Sequence, residues 1–108
     1  MKRDVIVYRT KDNKEPFLDW LFSLRDKVTR QRIEKRVERI HQNNFGNHKR
    51  FSGVVELRLD FGKGYRIYCA EDGHLLIVLL AGGDKSTQEN DILSALKYLE
   101  DYHGQKKI

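Results

Sequence analysis

The sequence predicts a single α+β domain with the order β-α-α-β-β-β-α and an antiparallel three-strand meander at its centre. Three observations carry this. Apolar residues recur at helical spacing in three segments, around Phe17–Leu24, Ile33–Ile40 and Ile92–Leu99. Between Val55 and Leu80 the pattern changes to strand-like runs separated by glycine turns. Strand and helix patterns are segregated rather than alternating, which points away from a βαβ architecture. A chain of 108 residues suits one compact core and leaves no room for two.

Each element has its own signal. Val5-Ile-Val-Tyr8 is a short run of β-branched and aromatic residues, the first strand. Asn13 or Asp12 is placed to cap a helix with Pro16 in its first turn, where a missing N–H costs little. Phe17, Trp20, Leu21 and Leu24 give that helix one apolar face. Asp26 is the expected cap of a second helix with Ile33, Val37 and Ile40 as its inner stripe. Residues 43–47 end it with loop chemistry. Val55–Asp60 alternates apolar and charged residues, and Tyr65–Cys69 returns after the Gly62-Lys63-Gly64 turn with the same alternation. Asp72-Gly73 is a hairpin signal. Leu75–Leu80 is apolar at every position, as expected of a strand covered on both faces and broken by Gly82-Gly83. Ser86 and Glu89 have capping-box spacing ahead of a last helix that stops near Gly104.

Composition narrows the classes of function. Charged residues make up 34% of the chain and its net charge is +5. The longest apolar run, Leu75–Ala81, is far short of the ~18 residues a membrane span needs. The N-terminus runs into a strand pattern rather than a signal-peptide apolar segment, so a cytoplasmic protein is expected. One cysteine, Cys69, fits a reducing compartment, and its apolar strand position reads as core packing rather than a nucleophile. The histidines His41, His48, His74 and His103 show no metal-ligand spacing, and no metal or cofactor is expected. The segment Lys27–Arg50 holds eight Lys/Arg and two acids, so it carries the whole positive surplus. Such a localised surface suits an anionic partner, or else is a solvated helix face.

Candidate chemistry lies on the polar positions of the strands. Glu56, Arg58 and Asp60 share one face of their strand, and Arg66 and Tyr68 fall on the polar phase of the next. Two guanidiniums on one hairpin face suit bidentate phosphate contacts; the alternative is a cross-strand ion pair of Glu56 or Asp60 with Arg66. On this phase Arg66 reads as a surface residue whose truncation costs no more than ~0.5 kcal/mol. Gly82-Gly83-Asp84-Lys85-Ser86 joins a strand to a helix N-terminus, a place that binds phosphate or is simply a capped turn. His48 is the histidine within the basic segment, either an acid–base group or a solvated loop residue.

These motifs, in order, resemble a known family. Phe45-Gly46-Asn47-His48-Lys49, Gly53-Val54-Val55-Glu56-Leu57-Arg58, Gly64-Tyr65-Arg66-Ile67-Tyr68 and Leu79–Gln88 look like the signature of addiction-module killer proteins. These form a RelE/HigB-like branch of the RelE/ParE superfamily of type II toxin–antitoxin toxins. The resemblance holds from about Phe17 to Lys97. It implies a toxin neutralised by a helix-turn-helix, HigA-like antitoxin, with operator DNA reached only through the antitoxin complex. It implies a metal-free endoribonuclease that cuts mRNA on the ribosome, without cofactor or membrane. By motif, Arg66 and Lys85 hold the scissile phosphate, with Arg58 beside them. Where RelE has lysine, this chain has Glu56, either a base for the 2′-hydroxyl or a partner of Arg58. Tyr98 and Tyr102 are the candidates for the terminal tyrosine of RelE. Lys35, Arg36, Arg39, His48, Lys49, Arg50, Tyr65 and Tyr68 are the expected RNA and ribosome contacts. The same fold also serves ParE-like topoisomerase inhibitors, and a non-catalytic co-repressor acting with its antitoxin is a further alternative.

Overall fold

The structure, a computed structural model, describes residues 2–106. It is an α+β fold with three α-helices and a five-stranded mixed sheet. Its elements are β1 (Asp4–Val7), α1 (Pro16–Ser23), α2 (Lys27–His41), β2 (His48–Phe51), β3 (Val54–Arg58), β4 (Arg66–Asp72), β5 (Leu76–Gly83) and α3 (Gln88–Gln105). A short 3₁₀ turn, Lys85–Thr87, leads into α3. The strand order is β1-β5-β4-β3-β2. The expected meander is present as antiparallel β3-β4-β5, but it is not the whole sheet. Residues 48–51, expected to be loop, form the edge strand β2, and β1 joins the far edge parallel to β5.

Strand alternation divides the core into two layers. Val55, Leu57, Ile67, Cys69, Ile77 and Leu79 point to the face covered by α1 and α2, which contribute Phe17, Leu21, Ile33 and Ile40. Val54, Tyr68, Ala70, Val78 and Leu80 point to α3, which contributes Ala95 and Leu99. β5 is buried on both faces, as its uninterrupted apolar run predicts. A register shift opposite Tyr68/Cys69 sets Leu80 and Ala81 on the same face and re-aims the end of β5. Gly82 then meets the Trp20 ring and Gly83 meets Asp91 and Thr87, so close that a Cβ at either would overlap them. These glycines end β5 as close-packed positions rather than breaking it.

The helix starts refine the expected caps. Asp26 caps α2 by accepting from the Val28 amide at 3.1 Å and the Thr29 hydroxyl at 2.8 Å. α1 begins at Pro16 after Glu15 without a side-chain cap; Asn13 instead occupies a left-handed turn before it, at φ 62°. The capping box ahead of α3 is Asp84 with Thr87, not Ser86 with Glu89. α3 runs through Gly104 to Gln105, and Leu93, one of the apolar residues of the Ile92–Leu99 segment, is 65% exposed. Cys69 is fully buried, which pushes its thiol up to about 12, an inert core residue. Among the described residues no helix is long and apolar enough to cross a membrane.

Candidate functional site

β3 and β4 pair so that Arg58 stands directly opposite Arg66, and Arg66 in turn opposite Gly83 at the end of β5. Like charges directly opposed on a sheet repel. Glu56, two residues before Arg58 on the same face, relieves this. Its Oε1 accepts from Arg58 Nε at 3.2 Å, and its Oε2 lies 3.7 Å from Arg66 Nε. Gln88, the first residue of α3, donates to Oε2 at 3.0 Å. Glu56 is 1% exposed, Arg66 12% and Arg58 38%, so the three side chains run from the core to the surface.

Lys85 completes the group from the turn after β5. Its backbone N–H bonds to the Lys63 carbonyl at 3.3 Å, which ties the β5–α3 turn to the β3–β4 turn. Gly64, at φ 73°, lets the cations close up: a Cβ there would lie 3.3 Å from Lys85 Cβ and 3.4 Å from Arg66 Nη1. Arg66 Nη1 donates to the Gly64 carbonyl at 2.6 Å. Arg58, Arg66 and Lys85 thus line one open groove of about 510 Å³, with Lys63, Asn47 and Asp60 on its walls. Arg58, Arg66 and Lys85 do line one groove, and of the ion pairs offered as the alternative, Glu56 or Asp60 with Arg66, the Glu56–Arg66 pair is present beneath it.

A second hollow of about 470 Å³ lies against the first. Arg32, Lys35, Arg36 and Arg39 of α2 line it, and the two hollows share the wall Leu59-Asp60-Phe61. The basic surface of α2 is therefore continuous with the groove. Lys35 and Arg39 are exposed on it. Arg36 is not a surface residue. It is 7% exposed, and its guanidinium donates to the carbonyls of Arg58 at 2.7 Å, Phe45 at 2.8 Å and Asn47 at 2.6 Å. Burial, then the neighbouring Arg39 charge, lowers its pKa from the ordinary arginine value. It is a structural bolt between α2, the 45–47 loop and the end of β3.

The remaining expected contacts are dispersed. His48 and Lys49 are exposed on β2; the His48 ring lies 5.5 Å from that of Phe45, with Nδ1 2.8 Å from the Gly46 carbonyl. Arg50 points away from the groove, pairing with Glu71 and covering the Phe45 ring at 5.1 Å. Tyr65 is half-buried against Trp20 and Phe61. Tyr68 is fully buried, not on an open face. Its hydroxyl lies beside Glu56 without hydrogen-bond geometry to any group; burial, then the Glu56 charge, raises its pKa strongly. Neither tyrosine of α3 lines the groove: Tyr98 stacks on Tyr8 at 5.2 Å, and Tyr102 donates to Asp72 at 2.6 Å, at the opposite end of β4. Sequence reasoning missed Lys63, read only as a turn residue, and Gln88, which has no local signal. Among the described residues no His, Cys, Asp and Glu side chains gather as a metal-binding group.

The molecule is thus an α+β protein whose mixed sheet is helix-covered on both faces and carries a cationic groove at one end. No family model matches the chain. Over 80 residues, 73% of this chain and 81% of the relative, it is 42% identical to a curated protein of Haemophilus influenzae described as an uncharacterized protein. The chain belongs to the same family as that protein.

Proposed function

We propose that this protein is the toxin of a RelE/HigB-like type II toxin–antitoxin pair, a metal-free endoribonuclease acting on mRNA at the ribosome. The observation that carries the reading is the convergence of Arg58, Arg66 and Lys85 on one open groove beside the basic surface of α2. A strand, two helices, a meander and a last helix in this order support the same family. In the reaction the ribose 2′-oxygen bonds to the adjacent phosphorus and the 5′-oxygen leaves, giving a cyclic phosphate and a 5′-hydroxyl. The three cations neutralise charge growing on the phosphoryl oxygens; removing one such cation costs ~10²–10³ in rate. Glu56, sealed between Arg58, Arg66 and Gln88, positions the arginines rather than taking the proton. The base and acid then come from the ribosome or the substrate. A helix-turn-helix antitoxin encoded beside it is the expected partner, and operator DNA is contacted through that complex.

One observation favours the ParE-like alternative: among the described residues neither a histidine nor a tyrosine lines the groove, so a toxin that acts by binding alone fits it too. Induction of the chain without its antitoxin, followed by primer extension on cellular mRNA, separates these. Growth arrest with new 5′ ends inside reading frames is the expected result. Arrest with intact mRNA and damaged DNA would favour topoisomerase inhibition. Unimpaired growth at a confirmed high level of folded protein would overturn the toxin reading.

A further inference from the structure

We propose that Asp60, with Arg32 stacked on Phe61, forms a nucleobase subsite beside the phosphate groove, selecting bases that carry an exocyclic amino group over uracil. The inference rests on the reading of the groove as an RNA site and adds a base preference to it. Asp60 stands on the wall shared by the two hollows, exposed, just past the end of β3. Every other charged side chain lining either hollow is an arginine or a lysine. Yet among the described residues Asp60 forms no ion pair with any of them.

A free carboxylate in such a surface repels the phosphate backbone and lowers affinity. It supplies, however, something that lysine and arginine lack, since those side chains only donate hydrogen bonds. A carboxylate accepts from the N4 amino group of cytosine or its counterparts on adenine and guanine. Uracil meets it instead with a lone N3–H flanked by two carbonyl oxygens, which repel it. The neighbouring residues provide the face on which a base lies. The Arg32 guanidinium covers the Phe61 ring at 4.0 Å from its centroid, and Phe61 is braced by Tyr65 at 5.4 Å. Arg32 is exposed, so its outer plane is open to a base, and guanidinium planes are a usual stacking surface for unpaired RNA bases. A nucleotide whose phosphate sits among Arg58, Arg66 and Lys85 has this wall beside it.

The test measures binding of uncleavable 2′-O-methyl oligomers of about eight nucleotides, long enough to fill such a site, to the full chain by fluorescence anisotropy. Wild type is expected to bind oligo(C) about tenfold more tightly than oligo(U). Asp60→Leu should bring the two within about twofold, and Asp60→Glu should keep the preference. Arg32→Ala should weaken both oligomers by about tenfold through loss of stacking. An unselective wild type, or an Asp60→Leu variant that tightens both oligomers equally and keeps their ratio, would overturn the subsite. Both results leave the groove standing. Absence of salt-dependent binding to either oligomer, or binding indifferent to Lys85→Ala, would instead sink the groove reading and the subsite with it.

Discussion

Glu56 and Arg66 form an ion pair, 3.7 Å from Oε2 to Nε, in which the carboxylate is almost wholly buried and the guanidinium reaches the floor of the groove. The same carboxylate bonds Arg58, so one buried negative charge holds two arginines that face each other across adjacent strands. The groove is therefore built on an electrostatic contact inside the sheet, and the residues that shape it also stabilise the fold.

Removing Glu56 leaves Arg66, 12% exposed at the floor of the groove, without its countercharge and leaves two guanidiniums face to face. Breaking a buried pair costs about 3–5 kcal/mol, and Glu56→Ala should fall at the low end because Arg58 is 38% exposed. Glu56→Gln keeps an acceptor and should lose less. Urea unfolding reads both. An alanine variant as stable as wild type would remove Glu56 from its positioning role.

Arg66 and Lys85 should separate stability from activity. Arg66→Ala leaves the Glu56 carboxylate short of a partner and should cost ~1–3 kcal/mol. Its polar phase suggested a surface residue with almost no cost; α3 covers that phase and makes it interior. Lys85 is exposed, so Lys85→Ala should stay within ~0.5 kcal/mol of wild type. Both should lower mRNA cleavage by ~10²–10³. Full toxicity of a folded Lys85→Ala protein would take Lys85 out of the site.

The meander and the pairing of Arg58 with Arg66 were legible because alternation fixes which strand residues share a face; Lys85, in the turn after β5, carries no strand period and came only from the resemblance of its motif. The partners of those residues were not. β1 carries too short a run to name its neighbour, and its parallel pairing with β5 depends on α1 and α2 crossing the sheet. β2, His48-Lys49-Arg50-Phe51, has charges on both faces, which hides the strand period but suits an edge that must resist further pairing. Arg36 looked like part of a solvated basic face. Its spacing held a signal, three residues after Ile33 and four before Ile40, on the stripe that packs into the core.

Glu71 should make stability sensitive to acid. Partial burial works to raise its pKa, but hydrogen bonds and charges from Arg50 and Arg3 outweigh this and hold it below the ordinary value of 4.5. Above that value the carboxylate is ionised in both folded and unfolded chains, and its contribution is complete. As the pH falls below 4.5, the unfolded chain takes up the proton first, and the contribution is lost through the native pKa. Glu71→Gln should flatten this part of the stability profile. An identical acid limb in the variant would show that the Arg3–Glu71–Arg50 cluster adds nothing.

Arg36 and Arg39, neighbours on α2, should respond in opposite ways. Both guanidiniums approach Gly46, where a Cβ would lie 3.0 Å from each. Only Arg36 spends its donors on backbone carbonyls, those of Phe45, Asn47 and Arg58. Arg36→Ala strands three acceptors around the start of β2 and the end of β3, and should cost at least about 3 kcal/mol, since bonds from a charged donor are worth ~1.5–3 kcal/mol each. Its loss of RNA binding would follow unfolding rather than the missing charge. Arg39 is exposed, so Arg39→Glu should leave the unfolding midpoint in place. It should weaken RNA binding and flatten its log–log salt dependence by about 0.7 for each single-strand phosphate that the variant no longer neutralises. Paired measurements of urea midpoint and salt slope check both at once. An Arg39→Glu slope equal to wild type would detach the α2 surface from nucleic-acid binding, and an Arg36→Ala midpoint equal to wild type would return Arg36 to the solvated basic face.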